Sequence, residues 1–252
     1  MDIAVLGNSA RYLAPLGAGT SYLVRTAQTT ILLDCGNGTH RQLAHELGEA
    51  RPDAVVVSHF HLDNVADLLP VVFALPADTP VLVPDGARPR IGDMLRAHTM
   101  DASWLAHARL ESARPAATRR VGDITLSWTR ADHGCPGVVT RLAADSGASL
   151  VYLGDTGPRP WLAPFAAGVG MVLAHTLLLD REMGAPRATN LTAGDAGRLA
   201  RDAGAHSLAL SHIPFYSSPE ASLAEAKAAF GGEVRVLREG QRVPVPLGND
   251  SQ

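Results

Sequence analysis

The stretch that most restricts how this chain can fold is AVVVSHFHLDNVAD at residues 54–67, where a short apolar run ends abruptly in two histidines and an aspartate at alternate positions. Ala54 to Ser58 reads as a buried strand, and helical spacing takes over from about Asp63 through Val65, Leu68 and Leu69. His59, His61 and Asp63 therefore fall on a strand-to-helix turn. In extended chain, side chains at i and i+2 point the same way, so both imidazoles can face one point with Asp63 following them. Neutral imidazole and carboxylate are the ligands a zinc-type ion selects. Asp63 also suits the N-cap of the helix that follows, so the triplet alone leaves metal and structural roles open.

Three more residues of the same chemistry, His133, Asp155 and His212, each stand just after an apolar strand-like run. Ligands gathered at the ends of several strands are how a fold builds one site from distant sequence.

With these residues in place, the chain resembles the metallo-β-lactamase superfamily, whose H-x-H-x-D-H motif is followed by a distant His, Asp and His. TILLDCGNGTHRQL at 30–43, YLGDT at 152–156 and LTAGDAGRLARDAGAHSLALSHIP at 191–214 carry the likeness over nearly the whole chain, and resemble the ribonuclease Z and phosphodiesterase branch. The resemblance implies an α/β fold, a four-layer αββα sandwich in one domain over 1–252. It implies His59, His61 and His133 on one metal ion, Asp155 between two, and Asp63 with His212 on the second. Asn64 stands where the second ion's histidine belongs. An amide oxygen is a harder, weaker ligand than imidazole, so one firmly held Zn ion is expected, with the second site taking Mn or Mg weakly or standing vacant. Asp63 is expected to hold or relay a proton during water attack.

Three further positions bear on the chemistry. AHTLLLD at 174–180 resembles the branch's H-E-A-T-F segment with Thr176 replacing the glutamate, which makes His175 a candidate acid without its usual partner, or else a structural histidine. Asn190 replaces a histidine common in that branch. Asp34 is expected to orient a ligand histidine. Histidines 40, 45, 98, 107 and 206 lack such context and read as solvated or structural.

The reaction expected is hydrolysis of a small phosphodiester, ester, thioester or lactone. A biosynthetic cyclase or thioesterase, in which the ion polarises a carbonyl, is the alternative that the changes at 64, 176 and 190 would suit. A non-catalytic metal-binding relative is the third. A net charge of −3 with both signs scattered, and no Gly/Pro-rich basic arm, disfavour long nucleic acid as a partner. Cys35 and Cys135 stand far apart and read as reduced thiols, the second edging the site or simply packing. No run approaches membrane-spanning length and no signal-type segment opens the chain, so a cytoplasmic protein with a small-molecule substrate is expected.

Along the chain, strands are predicted at 2–6, 21–25, 30–34, 81–83, 124–130, 138–143, 149–153, 171–175, 207–211 and 234–237. Helices are predicted at 39–49, from 63 to 75 with a bend at Pro70, from Thr192 to 203, and at 219–230. The Thr192 helix opens on a T-x-x-D capping box. Residues 85–120, with Met94, Met100 and Trp104, are expected to form short helices serving as a lid or as the surface of a homodimer. The loop from Gly7 to Thr20 is expected over the site, and the tail after Pro246 is expected to fray.

Overall fold

Runs such as Ile31-Leu32-Leu33, Ala54-Val55-Val56 and Leu150-Val151-Tyr152 are apolar at every position, so a strand made of them must be covered on both faces. The computed structural model describes residues 1–10, 17–182 and 188–249. Its elements in order are β1 (Asp2–Gly7), β2 (Ser21–Arg25), β3 (Thr30–Leu33), α1 (Thr39–Leu47), β4 (Ala54–Val56), α2 (Leu62–Val65), α3 (Leu68–Ala74), β5 (Pro80–Pro84) and α4 (Ala87–Ala97). A 3₁₀ turn (Ala102–His107), β6 (Arg109–Ala113), β7 (Thr118–Val121), β8 (Ile124–Arg130), β9 (Val138–Ala144), β10 (Ser149–Tyr152), α5 (Leu162–Phe165) and β11 (Met171–Leu178) follow. A second 3₁₀ turn (Asp180–Glu182), β12 (Leu191–Thr192), α6 (Ala193–Asp202), β13 (Ser207–Ser211), α7 (Pro219–Phe230), β14 (Glu233–Val236) and β15 (Arg242–Pro244) complete the described chain.

The strands form two sheets, ordered β15-β1-β2-β3-β4-β5-β6 and β14-β13-β11-β10-β9-β8-β7, with β12 beside β11. Alternate residues of one strand enter different cores. Ile31, Leu33, Val56, Leu150 and Tyr152 pack between the sheets. Leu32 and Val55 turn outward to Leu43, Leu68, Ile91 and Leu95 of the first sheet's helices. Val151, Val172 and Leu208 turn outward to Leu162, Ala196 and Ala200 on the other side. Three apolar layers thus alternate with four layers of structure, which is the expected αββα sandwich.

Several elements differ from the sequence reading. The helix predicted through 75 is two pieces, α2 and α3, and the break at Ala66-Asp67 puts Pro70 in the first turn of α3, where a missing N–H costs nothing. Within 85–120, only α4 and the 3₁₀ turn are helical. β6 and β7 are the far edge strands of the two sheets, and sheet pairing overrides their charged sequences RLESA and TRRV. Met94 and Met100 pack against the outer core of the first sheet. The tail does not fray before residue 250: Val245 N–H donates to Met1 O at 3.0 Å, Gly248 N–H to Gly147 O at 2.9 Å and Asn249 N–H to Gly168 O at 2.7 Å. Residues 11–16, the middle of the loop expected to cover the site, lie outside the described residues. The predicted capping box is present: Asp195 N–H donates to Thr192 Oγ1, and Thr192 N–H to the Asp195 carboxylate. No helix among the described residues is long and apolar enough to cross a membrane.

Candidate metal centre

The polar ends of several core strands meet at one edge of the sandwich. β4 runs on to His59, whose backbone bridges Gly137 across the two sheets. His61 is then the N-cap residue of α2 and makes no side-chain cap bond, and Asp63 lies in that helix's first turn, so the N-cap reading of Asp63 does not apply. The turn after β8 carries His133, the end of β10 leads to Asp155, and β13 delivers His212.

The donor atoms of His59, His61, His133 and Asp155 all lie within 4.8 Å of one another. His59 Nε2 is 3.2 Å from His61 Nδ1, which is 3.0 Å from His133 Nε2. The Asp155 Oδ2 atom is 3.2 Å from His133 Nε2 and 3.8 Å from His59 Nε2. Donors held tetrahedrally around zinc at its usual bond lengths lie about 3.4 Å from one another, so these separations fit one ion.

Hydrogen bonds behind the rings decide which nitrogens face inward. The Asp34 carboxylate accepts from Ser58 N–H at 2.6 Å, from Ser58 Oγ–H at 2.7 Å and from Tyr152 O–H at 2.5 Å. With its own hydrogen given to Asp34, Ser58 Oγ accepts from His59 Nδ1–H at 3.0 Å, and His59 Nε2 is left with a lone pair. His133 Nδ1 lies 2.6 Å from Thr189 O, and a carbonyl only accepts, so His133 Nε2 likewise presents a lone pair. Lone pairs aimed at one point repel unless a cation lies between them. Burial, joined by the neighbouring imidazoles and opposed by Asp155, pushes His59 down to about 3, so at neutral pH it is an uncharged imidazole able to bind a cation.

Asp155 also belongs to a second donor group with His175 and His212. His212 Nε2 is 3.4 Å from Asp63 Oδ2 and 3.9 Å from Asp155 Oδ2, while its Nδ1 is 2.8 Å from Thr20 Oγ1. Burial lowers His212 to about 4, against the opposing pull of Asp155. Burial alone would raise Asp155, but His212, His175 and His59 hold its carboxyl well below the ordinary range. Asn64 is fully buried, with Nδ2 3.4 Å from His59 Nε2 and with Oδ1 lacking any hydrogen-bond partner. An orphaned buried amide oxygen of this kind is one that a cation would satisfy. The donor chemistry therefore suits one well-made site and a second that is poorer in nitrogen.

His175 is placed behind the ligands rather than at the mouth of the site. It is 3% exposed and stacks on His212 at 4.4 Å between ring centroids. Nδ1 donates to Asp155 Oδ1 at 2.8 Å, and Nε2 lies 3.1 Å from Tyr22 Oη and 3.2 Å from Tyr152 Oη. A ring engaged at both nitrogens cannot also reach a leaving group, so the expected acid role does not fit this placement. Thr176 is buried and its hydroxyl has no partner, and Asn190 donates to Thr189 Oγ1 at 3.1 Å. His40, His45, His98 and His206 are exposed, and the side chain of His107 lies outside the described residues. Cys35 and Cys135 are free, the first buried and the second partly so.

Ser58, Thr20, Thr189, Tyr22 and Tyr152 are absent from the sequence reading. A polar Ser58 closing an apolar strand just before His59 was a usable signal. Thr189 acts through its backbone carbonyl and left none.

A family model described as Beta-lactamase superfamily domain matches residues 29–213. The probable metallo-hydrolase YhfI of Bacillus subtilis is 25% identical, over 95% of this chain and 98% of its own. Its crystal structure has a TM-score of 0.82 at 24% identity, covering 96% of this chain and 97% of that one. Ribonuclease Z of Mycobacterium marinum is 30% identical, over 97% of this chain and 99% of its own. The crystal structure of a diphosphatase from the PhnP family has a TM-score of 0.75 at 15% identity, covering 98% of each chain, and is alike in fold.

Proposed function

This chain belongs to the metallo-β-lactamase superfamily and is a metal-dependent hydrolase, and on that premise we propose that it cleaves a small phosphodiester, ester, thioester or lactone in the cytoplasm. The observation that carries the reading is the convergence of His59 Nε2, His61 Nδ1, His133 Nε2 and Asp155 on one point, with the first and third rings turned to lone pairs by groups behind them. In the proposal His59, His61, His133 and Asp155 hold a Zn ion, and Asp155, Asp63, His212 and Asn64 hold a weaker second ion, Mn or Mg. A bound divalent ion lowers the pKa of water to about 7 and polarises the substrate oxygen.

The protein's own groups do the rest. Ser58 and Asp34 keep His59 in its Nδ1–H form, and Thr189 O does the same for His133. His175 keeps Asp155 Oδ1 occupied, so that Oδ2 faces the centre, and it acts as a positioning residue. Asp63, with side-chain exposure of 13%, takes the proton released by the attacking water on its carboxylate. Of the large exposed apolar side chains, Leu62 lies between His61 and Asp63, and Phe215 and Tyr216 closely follow His212. Exposed apolar side chains next in sequence to the ligands support a small, partly apolar substrate over a polyanion.

The test is metal content and hydrolysis together. Purified protein should hold about one Zn equivalent firmly, cleave bis-4-nitrophenyl phosphate or a chromogenic thioester, and lose that activity to chelator. Asn64→His should raise stable occupancy towards two equivalents, because imidazole replaces an amide oxygen. Activity undiminished by complete metal removal would sink the reading, and two tightly held equivalents in the wild type would overturn the role given to Asn64.

A further inference from the structure

His133 and Asp155 are carried by stretches that hold neither helix nor strand, 131–136 and 153–159. No regular ladder of backbone bonds fixes such stretches, so their positions depend on individual contacts. Several of those contacts meet at one arginine on the second stretch. The Arg159 guanidinium donates from Nε to Asp132 Oδ2 at 2.6 Å, from Nη1 to Pro158 O at 2.8 Å and from Nη2 to Ala188 O at 2.8 Å. Asp132 immediately precedes His133, and Ala188 immediately precedes Thr189, whose carbonyl oxygen lies 2.6 Å from His133 Nδ1. A planar fork with donors along three edges suits such a joint, where the acceptors come from three segments.

Two neighbours of Arg159 close the same joint. Gly157 N–H donates to Asp132 O at 2.9 Å, and Asp132 N–H donates to the buried Thr156 hydroxyl at 3.0 Å. A β-carbon on Gly157 would fall 2.1 Å from Ala188 O and 2.6 Å from Ala188 C, which are backbone atoms and cannot swing aside. Gly157 is not among the glycines with positive φ, so the close approach of residue 188 is what excludes a side chain there.

The consequence falls on His133. A ring nitrogen that faces a carbonyl carries the hydrogen, which leaves Nε2 with its lone pair near His61 Nδ1 and Asp155 Oδ2. That choice lasts only while Thr189 O stays in place. His59 is set through Ser58 and Asp34 instead, and so serves as an internal reference.

We propose that Arg159 is a positioning residue for the metal centre: by holding Ala188 O it keeps Thr189 O against His133 Nδ1, and so fixes the nitrogen that His133 offers. The proposal rests on the metal-dependent reading above and deepens it. Charge alone predicts the opposite result. A guanidinium near a cation site opposes cation binding through its charge, so losing it for that reason would tighten zinc.

The test joins ring-nitrogen NMR of the metal-free protein, in mildly alkaline buffer, with zinc competition against a chelator. The wild type should show His133 in the Nδ1–H form. Arg159→Met, which keeps an unbranched stem without donors, should show both neutral forms of His133 with His59 unchanged, and should bind zinc roughly tenfold more weakly. Gly157→Ala should do the same by displacing Ala188 O. Asp132→Ala leaves Arg159 its two carbonyl acceptors and should match the wild type. A wild-type His133 without the Nδ1–H form, an unchanged His133 or tighter zinc in Arg159→Met, or an equal loss in Asp132→Ala would overturn the proposal. If the wild type binds no zinc, the metal-dependent reading fails, and the role of Arg159 is decided by the His133 signals of the same four proteins.

Discussion

Asp155→Ala is expected to purify with almost no bound metal and to lose hydrolysis by at least about 100-fold, more than is typical when only a group behind a ligand is changed. The reason is topological. Asp155 is the one side chain common to both donor groups among the described residues, so its removal leaves His59, His61 and His133 facing one another without a carboxylate and takes from His212 the carboxylate that joins it to them. It also takes the acceptor from His175 Nδ1–H inside a buried cluster, a loss of about 1–3 kcal/mol that metal-free protein should show on its own. Elemental analysis and a denaturation curve separate the two effects. Asp132→Ala is the control, because Asp132 pairs with the Arg159 guanidinium instead of the histidines and should leave metal content unchanged. Full occupancy in Asp155→Ala would mean that Asp155 is not the shared ligand.

The second large effect is expected at a residue that meets no substrate. Asp34→Ala should lower stability by about 3–5 kcal/mol, read as a shift of the urea midpoint at unchanged slope. Asp34 is fully buried and accepts from Ser58 N–H, Ser58 Oγ–H and Tyr152 O–H, all of which lose their acceptor at once. Burial raises its carboxyl to about 6 even against those donors, so the charge is held at neutral pH only because the network surrounds it. Its backbone adds to the cost: φ is 58°, a left-handed conformation that Asp and Asn tolerate better than Ala. Ser58 would then be free to turn its hydroxyl to His59 Nδ1 and favour the wrong tautomer, so metal affinity should also fall, by about 10–100-fold. Asp34→Asn relieves the backbone strain while still spoiling the acceptor pattern, and it should show the affinity loss with a smaller stability loss. A stable Asp34→Ala with normal metal affinity would dismiss the relay.

His59 and His212 were legible as candidate ligands because each lies where an unbroken apolar run stops. A strand apolar on both faces has to be interior, and the first polar residues past its end have to be at an edge, so AVVVSHFH and SLALSH mark the same edge of a sandwich before any contact is known. Helix α6 was legible from Thr192 and Asp195, since a capping box is a bond between near neighbours. Strands β6, β7 and β15 were not, because charged edge segments become strands only when a neighbour supplies the hydrogen bonds.

The same division runs through the candidate site. Residue chemistry nominated His59, His61, Asp63, His133, Asp155 and His212, and the family resemblance added Asn64. Which nitrogen each ring offers, and whether His175 faces a substrate or supports a ligand, depended on hydrogen bonds between residues far apart in the chain, such as Tyr22 with His175 and Asp34 with Tyr152. Periodicity records which face of an element is buried. It carries no record of which buried hydroxyl on another strand will lie within 3 Å, because that distance is set by how two sheets pack, and only the tertiary structure holds it.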